Sequence, residues 1–422
     1  MVKSRLAVLT IVATKGRPYD KTSALEAFKS EYAVPFVIYA FALSTFALGL
    51  SEFIVIGLAP SMAASFRVTI PEVGTTVTAY ALGVCVGGAL LTGWLSSWTR
   101  RRRLLASLAL FTMAHLAMAV SPTLWLVVLT RFAGGLAHGL FLAVASSAAA
   151  TAAGPAKGGR AVALVFSGLT VALVLGVPLG TFLDGLTGWR ALLLAIAVLA
   201  GAGWAALRSQ LAHEDAPAST GPAFTPLERA LASSPIVLTA AVTAATYAAL
   251  FTVYTYIASL LKATVDMSGD EISAALLAFG AAAVIGNGTG GILRDRLGAY
   301  RASLMVLAIL ILALLGTAAW TGHSWFAYAV VATLGFAAFA AVSVFQSRII
   351  DVAGHVAADL AEVASGLNIA AFNLGIVLGS FTGGSVIAHA GLAWLAPVAG
   401  AWAVLAFIPL ILSKRQIRRL IP

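Results

Sequence analysis

The chain has 422 residues, 60% apolar and 10% charged, with a formal net charge of +10. Average soluble domains are roughly a quarter charged, so this chain has too few charges to cover a water-facing surface. Its basic residues fall in short connections between apolar runs rather than in one patch, which argues against a nucleic-acid partner, and its single cysteine, Cys85, excludes an internal disulfide or a cysteine-based metal site.

Residues 1–34 hold six basic residues around the apolar run LAVLTIVAT, which is too short to span a bilayer. No convincing small-x-small cleavage site follows it, so a signal peptide is disfavoured. The preferred reading is a cytoplasmic extension from a mis-assigned start, with Val34 as the true first residue. From there on, apolar stretches of ~20 residues recur, each long enough to cross a ~30 Å hydrocarbon core. Backbone groups in lipid must pair internally, which leaves helices or a closed barrel. The stretches lack period-two alternation, which selects helices. Twelve are predicted, near 35–62, 74–97, 103–120, 122–149, 160–183, 190–207, 235–260, 271–291, 301–320, 323–348, 363–389 and 391–412.

The segment 208–234 contains HEDAPASTGP and three prolines, and reads as a flexible linker. It separates a six-helix bundle at 35–207 from a second at 235–413, and a basic tail at 414–422 follows. Of the 26 lysines and arginines, 22 fall on the side that also carries both termini; Arg67, Arg190 and Lys262 fall on the other, and Arg131 lies within a span. The positive-inside rule makes the first side cytoplasmic. The halves also repeat: GWLSSWTRRRR at Gly93 aligns with GILRDRLGAYR at Gly291, an offset of 198, and the same offset sets Glu72 onto Asp270. Two parallel six-helix units imply a pseudo-two-fold axis along the membrane normal, with a site between them.

Glu52 is the most informative residue. It sits in FALGLSEFIVIGLAP with no other charge within a dozen positions. An ionisable group at membrane depth is costly and marks a functional site. Burial favours a protonated carboxyl and a nearby cation the ionised form, so a carboxyl in alternating surroundings can carry a proton. Arg131, in LTRFAGGLAHGLF, is the candidate cation at similar depth, or else an arginine bonded to backbone carbonyls. His138 lies seven residues further on, on the same helix face, as a relay or a satisfied bundle residue. Tyr247, Phe251 and Tyr254 form a stripe that either faces a cavity or packs the bundle. Asn287, Gln346, Asn368 and Asn373 are amides at membrane depth that either orient a polar substrate or tie helices together. In LGVPLG, Gly176, Pro178 and Gly180 provide a bend or hinge in the fifth helix, or simply pack. There is no GxxxxGK[ST], HExxH or GxSxG, and GNGTGG at 286–291 has no preceding strand, so no nucleotide, metal or hydrolytic site is expected.

Together these residues resemble a family. The chain from Val34 onward looks like a twelve-helix member of the major facilitator superfamily, in its drug/proton antiporter branch. The runs SEFIVIGLAPSMA, FSGLTVALVLGVPLGTFLDGLTGWR and NIAAFNLGIVLGSFTGG are similar to bacterial arabinose-efflux-type permeases and chloramphenicol exporters. The superfamily's cytoplasmic signature resembles 93–105, with Gly93 and Arg101, and recurs at 291–301 with Gly291, Asp295 and Arg296. In the first copy Ser97 stands where the family has an aspartate that latches the cytoplasmic gate, so that latch is in doubt; Asp295 is retained in the second. Arg131, Gly135 and Gly139 match the arginine-glycine signature, whose arginine the family links to proton transfer. The antiporter signature matches loosely, because Val177 separates Gly176 from Pro178. The resemblance implies a non-enzymatic, multi-pass protein of the bacterial cytoplasmic membrane, monomeric and without cofactor. It would export small, mostly uncharged compounds such as chloramphenicol against protons. A sugar or nucleoside exporter using the same machinery is the alternative.

Overall fold

The computed structural model describes residues 36–68, 70–211, 225–320 and 324–420. The reading of residues 1–34, and the linker residues 212–224, lie outside the described residues.

Among the described residues, twelve helices of membrane length form two pseudo-symmetric six-helix bundles. In the first half these are α1 (Phe36–Phe66), α2 (Ile70–Val86, continued by a π turn Gly87–Leu91 and short turns to Ser97), α3 (Arg100–Ala119), α4 (Leu124–Ala153), α5 (Gly158–Thr187) and α6 (Trp189–Gln210). In the second they are α7 (Ser234–Tyr254), α8 (Gly269–Leu297), α9 (Ala299–Ala319), α10 (Ser324–Val356), α11 (Ala361–Ala390) and α12 (Leu395–Leu405, resumed as Phe407–Leu420). Eleven qualify as spans on length and apolarity alone; α3 opens with four arginines, which lower its mean hydropathy.

Several helices outrun the apolar stretches that announce them. α8 continues to Leu297 rather than 291, and α10 to Val356 rather than 348. Hydropathy marks where lipid ends, whereas a helix continues until its backbone is capped. The segment read as linker is likewise partly ordered: α6 runs to Gln210, and Thr225–Ala232 is a short amphipathic helix with Leu227 against Gly93. Caps fix the entries. The Thr99 side chain accepts from Arg102 N at 3.2 Å, and Ser268 forms a capping box with Glu271 at the start of α8. α5, α8 and α11 end at Gly188, Gly298 and Gly391, with φ of 79°, 78° and 89°. Only glycine takes that left-handed turn without strain, and it lets α6 and α9 begin at the next residue.

Helix starts shift between halves by nearly constant amounts: 36 to 234, 100 to 299 and 158 to 361. The packing repeats with them. α1 packs on α5 and α6 as α7 packs on α11 and α12, and α2 packs on α4 as α8 packs on α10. The halves join through α2–α11 and α5–α8, again a symmetric pair. Lipid gives no hydrophobic drive between helices, so these seams depend on small residues that admit close backbone approach. Gly135 and Gly139 of α4 lie against the Tyr80 and Val84 carbonyls of α2. A methyl group at either position would overlap those oxygens.

The exchange Gly139→Ala should therefore destabilise the purified protein by ~1–3 kcal/mol, seen as a lower melting temperature in detergent. Gly288→Ala, in α8, meets nothing within 4 Å and should be neutral or slightly stabilising. Equal melting temperatures for the two variants would contradict this account of the α2–α4 seam.

Candidate functional site

A cavity of about 630 Å³, counting the open space at its mouth, lies between the halves. The first half lines it with Glu52 and Phe53 of α1, Val84 of α2, His138 and Leu142 of α4, and Phe166 and Leu169 of α5. The second contributes Thr243 and Tyr247 of α7, Phe339, Phe345 and Gln346 among α10 residues, and Asn368, Phe372 and Asn373 of α11.

Glu52 sits near the middle of α1, sixteen residues from Phe36 and fourteen from Phe66. Its side chain is 32% exposed, and its Oε2 lies 4.0 Å from His138 Nδ1. That nitrogen is also 2.7 Å from the Tyr80 hydroxyl, which in turn lies 3.2 Å from the Leu48 carbonyl oxygen. The hydroxyl has one proton. If it goes to Leu48, His138 must carry its proton on Nδ1; if it goes to His138, the imidazole carries its proton on Nε2. In both cases Nε2 is buried with no hydrogen-bond partner among the described residues.

Arg131 does not ion-pair with Glu52 within 4.0 Å among the described residues. It is fully buried, and donates to the Ser51 carbonyl at 2.8 Å, to Ser51 Oγ at 3.0 Å and to the Thr76 carbonyl at 3.3 Å. Its guanidinium carbon lies 4.0 Å from the centre of the Tyr80 ring, a cation–π contact. His115, which sequence reasoning passed over, completes this layer. Its Nδ1 faces the Phe111 carbonyl at 2.8 Å and its Nε2 faces Ser51 Oγ at 2.6 Å. A carbonyl can only accept, so Nδ1 bears the proton and Ser51 donates to Nε2 while accepting from Arg131.

A second polar layer closes the cavity on the side of the arginine-rich helix ends. Gln346 Nε2 donates to Ser146 Oγ at 3.0 Å and to Ser365 Oγ at 2.6 Å, and Ser365 donates to the Ala143 carbonyl at 2.8 Å. Asn368 donates to Gln346 Oε1 at 2.7 Å and accepts from Thr243 at 2.6 Å. These bonds tie α4 to α10 and α11.

The remaining candidates separate. Tyr247 lines the cavity, with its hydroxyl on the Ala338 carbonyl at 2.7 Å. Phe251 and Tyr254 are not among the lining residues; Tyr254 stacks on Phe279 with centroids 4.2 Å apart, and Phe251 meets Tyr254 edge-on. Asn287 is also outside the cavity. It donates to the Ala163 carbonyl of α5 at 2.7 Å and accepts from Ser343 of α10, so it ties helices across the halves. Asn373 lines the cavity and donates to Ile369 O of its own helix. Gly176 packs on Phe53, while Pro178 and Gly180 fall inside the continuous helix α5.

At the arginine-rich end two cross-half contacts stand in symmetric places. Asp295, with a side chain 3% exposed, accepts from Gly159 N at 2.8 Å and Arg160 N at 3.1 Å, capping the N-terminus of α5. Arg294 beside it donates to the Pro155 carbonyl at 2.8 Å and pairs with Asp351 at 2.6 Å. On the opposite side of the pseudo-two-fold, Ser97 offers no such cap. Instead Glu362, in the first turn of α11, pairs with Arg100 at 2.8 Å and with the buried Arg103. Gly366, one turn on, sits against the Gly88 carbonyl in the π turn of α2. Arg101 instead donates to the carbonyls of Leu211 and Arg208 at 3.3 Å, and Arg296 is exposed.

Comparison with known proteins agrees with this architecture. A sequence profile of the Major Facilitator Superfamily matches residues 41–361. The chain is 35% identical to the inner membrane transport protein YdhP of Escherichia coli K12, over 91% of this chain and 97% of that one. It is 36% identical to a chloramphenicol resistance protein of Streptomyces lividans, over 62% of this chain and 68% of that one. It is 27% identical to a probable sugar efflux transporter of Pasteurella multocida, over 91% and 94%. Among solved structures, that of the transporter FucP in the outward conformation superposes with a TM-score of 0.73 at 14% identity, covering 91% of this chain and 99% of that one. With twelve helices in two related bundles around one cavity, the chain belongs to the Major Facilitator Superfamily of membrane transporters.

Proposed function

We propose that the protein is a proton-coupled antiporter that exports small, mostly uncharged and largely apolar compounds across a bacterial cytoplasmic membrane, with the arginine-rich end and both termini on the cytoplasmic side. The observation that carries this reading is Glu52: an acid at membrane depth, on the wall of the inter-half cavity, with no cation bonded to it among the described residues. A carboxyl locked to Arg131 would stay ionised through a cycle. One that faces the cavity can protonate when the cavity opens to the more acidic side and deprotonate when it opens to the other. Arg131, held by Ser51, Thr76 and Tyr80, supplies a fixed positive field nearby without holding the proton hostage. His138 is placed to exchange a proton with Glu52 after a small side-chain rotation.

The polar floor and the Asp295 and Glu362 contacts lie between the cavity and the arginine-rich end. With that end cytoplasmic, they act as the inner gate, and the halves rock about the cavity to break them. The substrate class is set by the groups that the walls leave free. Gln346 and Asn368 bond to each other and to serines and Thr243, so their amides are already occupied. The surface that faces a substrate is mainly Phe53, Phe166, Phe339, Phe345 and Phe372, with Glu52 and Asn373 as polar points. This fits an aromatic or otherwise apolar compound better than a sugar. The chloramphenicol resistance relative supports this class of compound, and the probable sugar efflux relative supports the outward direction.

In an efflux-deficient bacterium, expression should raise resistance to chloramphenicol-like compounds, and an uncoupler should remove the gain. Glu52→Gln should abolish gradient-driven export at unchanged protein level and with substrate binding retained. Full uphill export by that variant would refute the assignment. Removing one partner of a buried ion pair costs roughly 3–5 kcal/mol. Glu362→Gln should accordingly open the inner gate. In a Cys85→Ser background carrying Ser147→Cys, labelling by a small maleimide from the arginine-rich side should speed up at least tenfold; an unchanged rate would remove Glu362 from the gate.

A further inference from the structure

We propose that a pocket among the ends of α9, α10 and α12 binds the phosphate of an anionic phospholipid headgroup. The pocket is lined by Tyr300 of α9, Arg348, Asp351 and His355 of α10, and Lys414 and Ile417 of α12, and encloses about 650 Å³ including its open mouth. Arg348 is the reason to expect an anion there. It is 2% exposed, and one terminal nitrogen, Nη2, donates to Ser413 Oγ at 2.5 Å. The other, Nη1, is buried without a hydrogen-bond partner among the described residues. Among the described residues no carboxylate lies within 4.0 Å of this guanidinium. Asp351, one turn further along α10, is engaged by Arg294 at 2.6 Å. A buried cation without a counter-charge is strongly disfavoured unless something supplies one.

The surrounding groups fit a phosphate. Lys414 lies over the Tyr300 ring, 4.0 Å from its centre, and pairs with no carboxylate among the described residues. His355 is exposed at the rim and uses Nδ1 on the Asp351 carbonyl at 2.7 Å, so Nε2 is not engaged in that bond. With Asp351 matched by Arg294, the pocket has two uncompensated cations, and phosphate oxygens accept well from guanidinium and ammonium groups.

The location favours a lipid over a free anion. The pocket sits at the arginine-rich helix ends, where headgroups lie, and between peripheral helices. Below it on α12, Ile408, Ile411 and Leu412 are 54%, 44% and 40% exposed. Their three- and four-residue spacing sets them on one helix face, an apolar track for acyl chains beneath a phosphate held by Arg348 and Lys414. The proposal depends on the membrane placement of this end and not on transport, so it stands or falls apart from the antiport reading.

The test uses delipidated full-length protein in detergent, titrated with phosphatidylglycerol, phosphatidylcholine or sodium phosphate and followed by melting temperature and native mass spectrometry. Phosphatidylglycerol should bind and stabilise more than phosphatidylcholine. One basic residue at a membrane surface contributes ~1 kcal/mol, so Lys414→Gln should weaken phosphatidylglycerol binding about fivefold. Arg348→Gln should remove the difference between the two lipids. Lys414 lies at the rim, so its variant keeps the test valid if Arg348→Gln does not fold. Equal responses to the two lipids, or an undiminished phosphatidylglycerol response in the Lys414 variant, would overturn the proposal. Sodium phosphate alone producing the whole shift would overturn the lipid assignment.

Discussion

A charge inside a bilayer must find its partners within the protein, and Arg131 is where that constraint organises the first half. One guanidinium on α4 donates to Ser51 of α1 and to Thr76 of α2 and lies over the Tyr80 ring, with Nη2 left without a hydrogen-bond partner among the described residues. Three helices are thereby registered against one another at membrane depth. Because Ser51 precedes Glu52, the same bonds that hold the arginine also set where the acid emerges. These partners are neutral, and their neutrality leaves the acid uncommitted. Had Glu52 itself neutralised Arg131, the pair would be stable but chemically silent. Holding the cation by carbonyls, a hydroxyl and a ring leaves the carboxyl facing the cavity.

The two halves share a scaffold but close their interface by different chemistry. Asp295 reaches from α8 to the backbone amides that begin α5, with Arg160 of that helix 3.8 Å away and its own neighbour Arg294 at 3.0 Å. At the symmetric place the acid has changed sides. Glu362 belongs to the receiving helix α11, and the first half answers with Arg100 and Arg103. Both arrangements put a carboxylate near a helix N-terminus, so the helix dipole favours each of them. On the proposed gating, they differ in the contacts that opening must undo. Freeing Asp295 exposes two backbone amides, which water satisfies, and parts it from Arg160, which is already 39% exposed; freeing Glu362 parts it from the buried Arg103, which costs more unless both reach solvent.

Much of this was legible in the amino-acid sequence because membranes make charge conspicuous. Glu52 and Arg131 stand out in apolar surroundings, and the repeated glycine-arginine run exposes the two halves and, within its second copy, Asp295. Periodicity could not show which aromatic residues face the cavity. Phe53, Phe166, Phe339, Phe345 and Phe372 look like any lipid-facing phenylalanine until the helices are assembled, whereas Phe251 and Tyr254, which form a visible stripe, pack away from the cavity lining. Small hydroxyls were equally silent. Ser146, Ser365 and Thr243 could as well bond to their own helix, as Ser146 also does with Leu142 at 2.6 Å. Glu362 was hidden for a different reason: it falls just ahead of an apolar run, where an acid reads as a solvated loop residue, and its partners lie about 260 positions away.

The fate of the membrane-depth amides bears on specificity. A site that selects a polyhydroxylated solute needs donors and acceptors left unpaired by the protein, because their desolvation without the right partner is what rejects wrong ligands. Here Asn287 joins α8 to α5 and α10, and Gln346 and Asn368 close the cavity floor, so three of the four amides serve the helices rather than a guest. A largely aromatic wall discriminates weakly, at only ~1–3 kcal/mol for a methylene gained or lost. On the proposed reading, such a cavity accepts a range of apolar compounds, and its directionality comes from Glu52 rather than from tight recognition. Two of the amides that sequence inspection would assign to a sugar, Gln346 and Asn368, are on this reading the ones that keep the inner side of the cavity shut.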